Sequence, residues 1–143
     1  KSLPNYAEVI KLGIASPIIN SFFYREVGRL WQWTDRAEWN LEKWNEWVER
    51  DNLKTSILLF HGTPAGYFEL EIRKKEVEIA FFGLLPNFIQ KRLGGGFLSE
   101  AIKDAWEHGK SRICVNTCSF DHQNALNNYI ARGFKIIKEE SIN

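Results

Sequence analysis

Between Lys54 and Leu85, three strand-like segments follow one another with almost no chain between them. Residues 54–61 (KTSILLFH) are apolar and end at the turn signal GTPAG of residues 62–66. Residues 66–74 place Phe68, Leu70 and Ile72 on one face and Glu69, Glu71 and Arg73 on the other. Residues 76–85 (EVEIAFFGLL) follow a Lys-Lys turn, carry the single interior acid Glu78 and stop at Pro86. Turns this short join antiparallel neighbours, whereas parallel strands need a long crossover. This stretch is therefore an antiparallel meander.

The glycine cluster 94–96 then opens a helix with Phe97, Leu98, Ala101, Ile102, Ala105 and Trp106 on one stripe, closed by Gly109. Residues 111–119 read as a strand, Asp121 caps a helix through Arg132, and a last strand runs from Phe134 to Lys138. Upstream of the meander stand a strand over residues 6–14 and a helix from Ser16-Pro17 to Gly28. Its apolar side is read as Ile18, Ile19, Phe22, Phe23 and Val27. An irregular stretch, 29–39, leads to a second helix capped by Asn40, with Leu41, Trp44 and Val48 at helical spacing. The expected fold is a mixed α/β (α+β) domain, its mostly antiparallel sheet flanked by helices on both faces. No repeat, linker or low-complexity stretch divides residues 1–143, which read as one domain.

Nineteen basic and eighteen acidic side chains leave a net charge of +1, too small an excess to favour life on a nucleic-acid backbone. No apolar run reaches the roughly 18–20 residues that span a bilayer. Leu12 to Ile19 is apolar and follows lysines, but Pro17 and the lack of a small-residue cleavage site make it strand, turn and helix, not a leader. Cys114 and Cys118 fall in one strand, roughly 13 Å apart and too far to bridge. Unbridged thiols without a leader imply a cytoplasmic protein. The three histidines show no zinc-like spacing with Cys or acids, so no metal is expected. Cys118 and His122 lack a third orienting residue for nucleophilic catalysis.

A strand, a loop and then KRLGGG (Lys91 to Gly96) at a helix start can bind phosphate: amide donors and the helix dipole favour an anion, and glycine admits it to the main chain. Lys91 and Arg92 add charge. The alternative is a loop with two solvated basic residues. FFGLLPNFIQKRLGGGFLSEAI resembles the acyl-CoA-binding motif of the GNAT superfamily of N-acetyltransferases, Q/R-x-x-G-x-G/A, which falls here on Lys91, Gly94 and Gly96. Lys91 departs from the usual Gln or Arg, and Arg92 stands where glycine is common. DHQNALNNYIARGF is similar to the superfamily's closing motif, with Ala125, Tyr129, Gly133 and Phe134 matching and His122 replacing an Asn.

The resemblance implies an acetyl-CoA-dependent transfer to a primary amine, with Lys91, Arg92, Leu93, Gly94, Gly95, Gly96, His122 and Ala125 holding the coenzyme. Leu84 or Leu85 would turn a backbone amide to the thioester carbonyl, in a gap between the fourth and fifth strands. Glu78 is the candidate base, since burial would raise its pKa. Glu69 is the reserve, a relaying water is open in either case, and the alternative is a solvated or lysine-paired strand glutamate. Tyr129 would protonate the departing thiolate, against the alternative of a core tyrosine. Trp31 and Trp33, in irregular chain, either wall the acceptor pocket or pack in the core. Glu69, Glu71 and Glu78 would favour a cationic small-molecule or peptide amine. The protein would be a monomer or homodimer, with a non-catalytic acyl-CoA sensor or scaffold as the rival and a nucleic-acid or carbohydrate module as a third reading.

Overall fold

A computed structural model describes residues 2–29, 33–115, 117–118 and 139–140, the last two pairs by their backbone. The chain runs β1 (Ala7–Lys11), α1 (Pro17–Gly28), α2 (Leu41–Val48), β2 (Leu53–Phe60), β3 (Thr63–Ile72), β4 (Glu76–Leu84), a 3₁₀ turn (Pro86–Phe88), α3 (Gly94–Trp106), β5 (Arg112–Val115), β6 (Thr117–Cys118) and β7 (Glu139–Glu140). The first five strands form a sheet in chain order, antiparallel from β1 to β4 and parallel between β4 and β5. The meander and the crossover through α3 are thus as expected.

Two faces bury two sets of side chains. On one, Phe97, Ala101 and Ala105 of α3 close over Leu58, Phe68, Leu70, Val77 and Ile79. On the other, Phe23 and Val27 of α1 meet Tyr67, and Trp44 and Val48 of α2 meet Tyr24. Asn40 caps α2 through its side-chain oxygen, which accepts from the Lys43 amide at 2.8 Å.

Several details differ from the sequence reading. The β2–β3 turn is the two residues His61 and Gly62, both left-handed (φ 52° and 76°), so Thr63 to Gly66 already pair as strand. That is the backbone two-residue hairpins require, and it displaces the five-residue turn GTPAG. On α1 the inner face is Asn20, Ser21, Phe23, Tyr24 and Val27, while Ile18 and Phe22 are exposed. Hydrophobicity misplaced that face because its innermost polar residue, Asn20, is held by buried partners. On α3, Trp106 is half exposed, and Asp104 lies inward because Lys11 of β1 reaches it at 2.9 Å.

Candidate active site

Strand β4 changes phase partway along. Val77 and Ile79 face α3, and so do Phe82 and Leu84, although an unbroken strand would set these two pairs on opposite faces. The extra residue is Ala80: Glu69 pairs with Phe81 while the adjacent Leu70 pairs with Ile79. This bulge directly follows the β5 pairing, which among the described residues runs from Glu76 to Ile79. Bulges bend a strand and increase its twist, which separates neighbours beyond them.

The pairing also fixes amide directions past the bulge. The Leu85 amide donates to the Ala65 carbonyl at 2.8 Å, so Gly66 and Leu84 form a non-hydrogen-bonded pair. The N–H of Leu84 therefore points away from β3, towards the side that β5 has left. The Phe82 amide points the same way, a position the sequence reading passed over. Its signal was the spacing of apolar residues at 77, 79, 82 and 84. Of the two amides left open by the sequence, only Leu84's faces the gap.

At the end of this edge lies the glycine turn. Leu93 begins α3 without a side-chain cap, and no acid stands in the first turn. Lys91 and Arg92 are exposed. Arg92 has φ 60°, a left-handed backbone that costs a side-chain-bearing residue about 1–2 kcal/mol, which accounts for glycine being common there. A Cβ on Gly94 would meet only Leu84 Cδ1, at an ordinary 3.9 Å, so its approach is open. Gly96 differs: a Cβ there would lie 2.7 Å from the backbone of Ser2 and Leu3. Its bareness serves the packing of the chain's own N-terminal segment. An uncapped helix start, two cations and an open glycine beside the end of β4 together fit a diphosphate with an extended arm.

Glu78 points to the face opposite α3 and is mostly enclosed, its carboxylate 2.6 Å from Arg73 Nη2. Burial pushes its carboxyl above the ordinary 4.5, against the opposing pull of Arg73. Arg73 also binds Glu71 and Glu76, and Arg112 and Arg50 complete the charge balance around these acids. Six residues of strand separate Glu78 from Leu84, roughly 20 Å at full extension, and four separate it from Phe82. The Cys114 thiol, bonded to Glu76, is pushed up to about 12 by burial first and then by that carboxylate, so it is no nucleophile.

Glu69 corrects its expected role. It is wholly buried, with Oε1 accepting from Trp47 Nε1 at 2.9 Å and Oε2 from Asn20 Nδ2 at 2.8 Å. Arg36 Nη1 lies 3.0 Å from Oε1. Enclosed and paired with Arg36, this carboxylate is shut away from solvent instead of lining an open pocket. Trp33 is half-buried between Tyr24 and Phe81 and sits on Gly28, where a Cβ would be 2.7 Å away. Gly83 likewise accommodates Val27 of α1, its missing side chain filled from this face. Arg36, which the sequence reading missed, is the hub of this face. Trp31, His122, Ala125 and Tyr129 lie outside the described residues. Among the described residues no cluster of His, Cys, Asp and Glu could hold a metal ion, and no helix is long and apolar enough to cross a membrane.

The chain belongs to the acetyltransferase (GNAT) family, whose model matches residues 18–134. Its fold is similar to that of an aminoglycoside acetyltransferase from an uncultured soil metagenomic sample, solved with trehalose. The TM-score is 0.72 at 13% identity, covering 97% of this chain and 94% of that one. It is similar too to AAC(6')-Iy bound to the bisubstrate analogue CoA-S-monomethyl-acetylneamine (TM-score 0.66, 17% identity, 94% of each chain). A third is the PaiA N-acetyltransferase of Thermoplasma acidophilum in complex with coenzyme A (TM-score 0.66, 18% identity, 90% of each chain). A search of curated protein sequences returns no match.

Proposed function

We propose that this protein is an acetyl-CoA-dependent N-acetyltransferase that moves an acetyl group to a primary amine by direct attack within a ternary complex. The observation that carries this reading is the coincidence at Ala80. The bulge, the end of β5 pairing and the outward Leu84 amide together leave a strand edge leading to the open face of Gly94. Main-chain donors at the Gly94 turn would hold the diphosphate, with the Lys91 and Arg92 side chains adding charge. The extended arm would lie against the β4 edge as an added strand, its thioester carbonyl accepting from a β4 amide.

The acceptor nitrogen attacks that carbonyl, a C–N bond forms and the C–S bond breaks. The amine's surplus proton passes to Glu78, and the length of strand between Glu78 and Leu84 favours a relaying water. The thiolate takes a proton from Tyr129, the role implied by the closing motif. The similar structure solved with an acetylneamine bisubstrate analogue supports a small cationic amine as acceptor. The acids left to attract it are Glu71, Glu76 and Glu78, each tempered by arginine. The free Cys114 thiol supports a reducing, cytoplasmic setting.

The test is thiol release from acetyl-CoA over a panel of polyamines, aminoglycosides and lysine-like amines. Turnover with any of them supports the reading; tight acetyl-CoA binding with no turnover on any would favour the sensor. The pH dependence is a second readout. A base must be ionised, and Glu78's carboxyl is raised, so the acidic limb of kcat/KM should have its midpoint above 4.5. Glu78→Gln should flatten that limb and lower kcat/KM by about 100-fold; a limb that persists assigns the proton to water alone. Tyr129→Phe should lower kcat by about 10-fold or more with acetyl-CoA affinity unchanged. An unaltered kcat removes Tyr129 from the mechanism.

A further inference from the structure

We propose that Arg36 is the positioning residue of the acceptor side: an internal cation that fills an aromatic cage and thereby sets Trp33 against β4 beside the transfer site. The proposal rests on the β4 edge being that site.

Arg36 lies in the connection between α1 and α2, where backbone hydrogen bonds run from Trp33 to Gly28, from Ala37 to Thr34 and from Trp39 to Arg36. Its guanidinium carbon is 4.1 Å from the ring centroid of Phe81, 4.3 Å from Trp47, 4.8 Å from Trp39, 5.1 Å from Trp44 and 5.8 Å from Tyr24. The Glu69 carboxylate closes the remaining side, and the Arg36 amide donates to Tyr24 Oη at 2.9 Å. Aromatic faces and one buried carboxylate are how proteins recognise a free guanidinium or ammonium ion. Here the chain supplies the cation itself.

The rings come from α1, the connection, α2 and β4, and the carboxylate from β3. One side chain thus joins both helices, their connection and the two strands β3 and β4 on this face of the sheet. Three residues before Arg36 stands Trp33, whose ring centroid is 5.0 Å from Phe81 and whose edge is 3.5 Å from where Gly83 would carry a Cβ. Gly83 immediately precedes Leu84. Any slackening at Arg36 passes through two residues of chain to the ring beside the proposed acetyl position. The cage also withdraws Trp39, Trp44 and Trp47 from recognition of an arriving cation, because their faces are spent on Arg36. That leaves Trp33 as the described tryptophan against the transfer edge.

Arg36→Ala empties the cage and permits chemical rescue by free guanidinium. At saturating acetyl-CoA the variant should show acceptor KM raised about tenfold, with kcat and acetyl-CoA affinity held within about threefold. Guanidinium chloride at about 10 mM should restore KM and raise the variant's Tm, with no such effect on the wild type or from equal sodium chloride. Equal losses in kcat and coenzyme affinity, or no selective effect of guanidinium, would overturn the proposal. If Arg36→Ala does not fold, Arg36→Lys decides: it keeps the charge but not the planar fork, and an unchanged acceptor KM would overturn the role. A wild type that transfers to no amine defeats the function reading instead, and the guanidinium-dependent Tm then separately decides whether the cage recognises a cation.

Discussion

Gly94→Val should weaken acetyl-CoA binding by about 100-fold or more while the protein stays folded. Two or more charge-assisted hydrogen bonds from the turn to a diphosphate, each worth about 1.5–3 kcal/mol, correspond to that loss when a branched side chain bars the main chain. The folded state has room for the substitution, because a Cβ at Gly94 meets only Leu84 at 3.9 Å. The cost to α3 should stay within about 1 kcal/mol, a Tm change of roughly 2–5 °C. Gly96→Ala should behave oppositely. Its Cβ would stand 2.7 Å from the Ser2–Leu3 backbone, forcing that segment off the helix at about 1–3 kcal/mol. Calorimetric titration with acetyl-CoA and thermal melts on both variants separate the roles. If Gly94→Val binds acetyl-CoA as the wild type does, the diphosphate lies elsewhere and the assignment of this turn fails.

The meander was legible because residues 66–74 alternate without interruption and glycine and proline bound their neighbours. The glycine turn was legible because few other arrangements set three glycines at a helix start. The bulge was written less plainly: Val77, Ile79, Phe82 and Leu84 are apolar at spacings of two, three and two, and that middle three is the phase change. Glu69 could not be told from Glu71 by alternation, since both fall on the same face. What separates them is what each face of the sheet meets three-dimensionally. Glu69 lies under Asn20, Arg36 and Trp47, drawn from positions 49, 33 and 22 residues away. Glu71 lies at the margin, paired with the more exposed Arg50 and Arg73. Periodicity reports which side of an element is covered, never by what, so the burial of Arg36 had no local signature beyond the tryptophans around it.

That buried pair yields the largest expected change in stability. Arg36 and Glu69 are 5% and 0% exposed, so the pair is not screened as a surface bridge is. Glu69→Gln keeps the shape and one oxygen to accept from Trp47 or Asn20, yet leaves Arg36 with no counter-charge. Breaking a buried pair on one side costs about 3–5 kcal/mol, here a fall in Tm of roughly 10 °C or more. Removing both charges should cost much less, because the desolvation of Arg36 vanishes with its partner. Arg36→Met combined with Glu69→Gln should therefore be more stable than Glu69→Gln alone, an inversion that additive effects cannot produce. Denaturant melts of the four proteins give the coupling directly. If the double variant loses the sum of the single losses, the carboxylate and the guanidinium act separately, and the aromatic rings alone hold Arg36 in place.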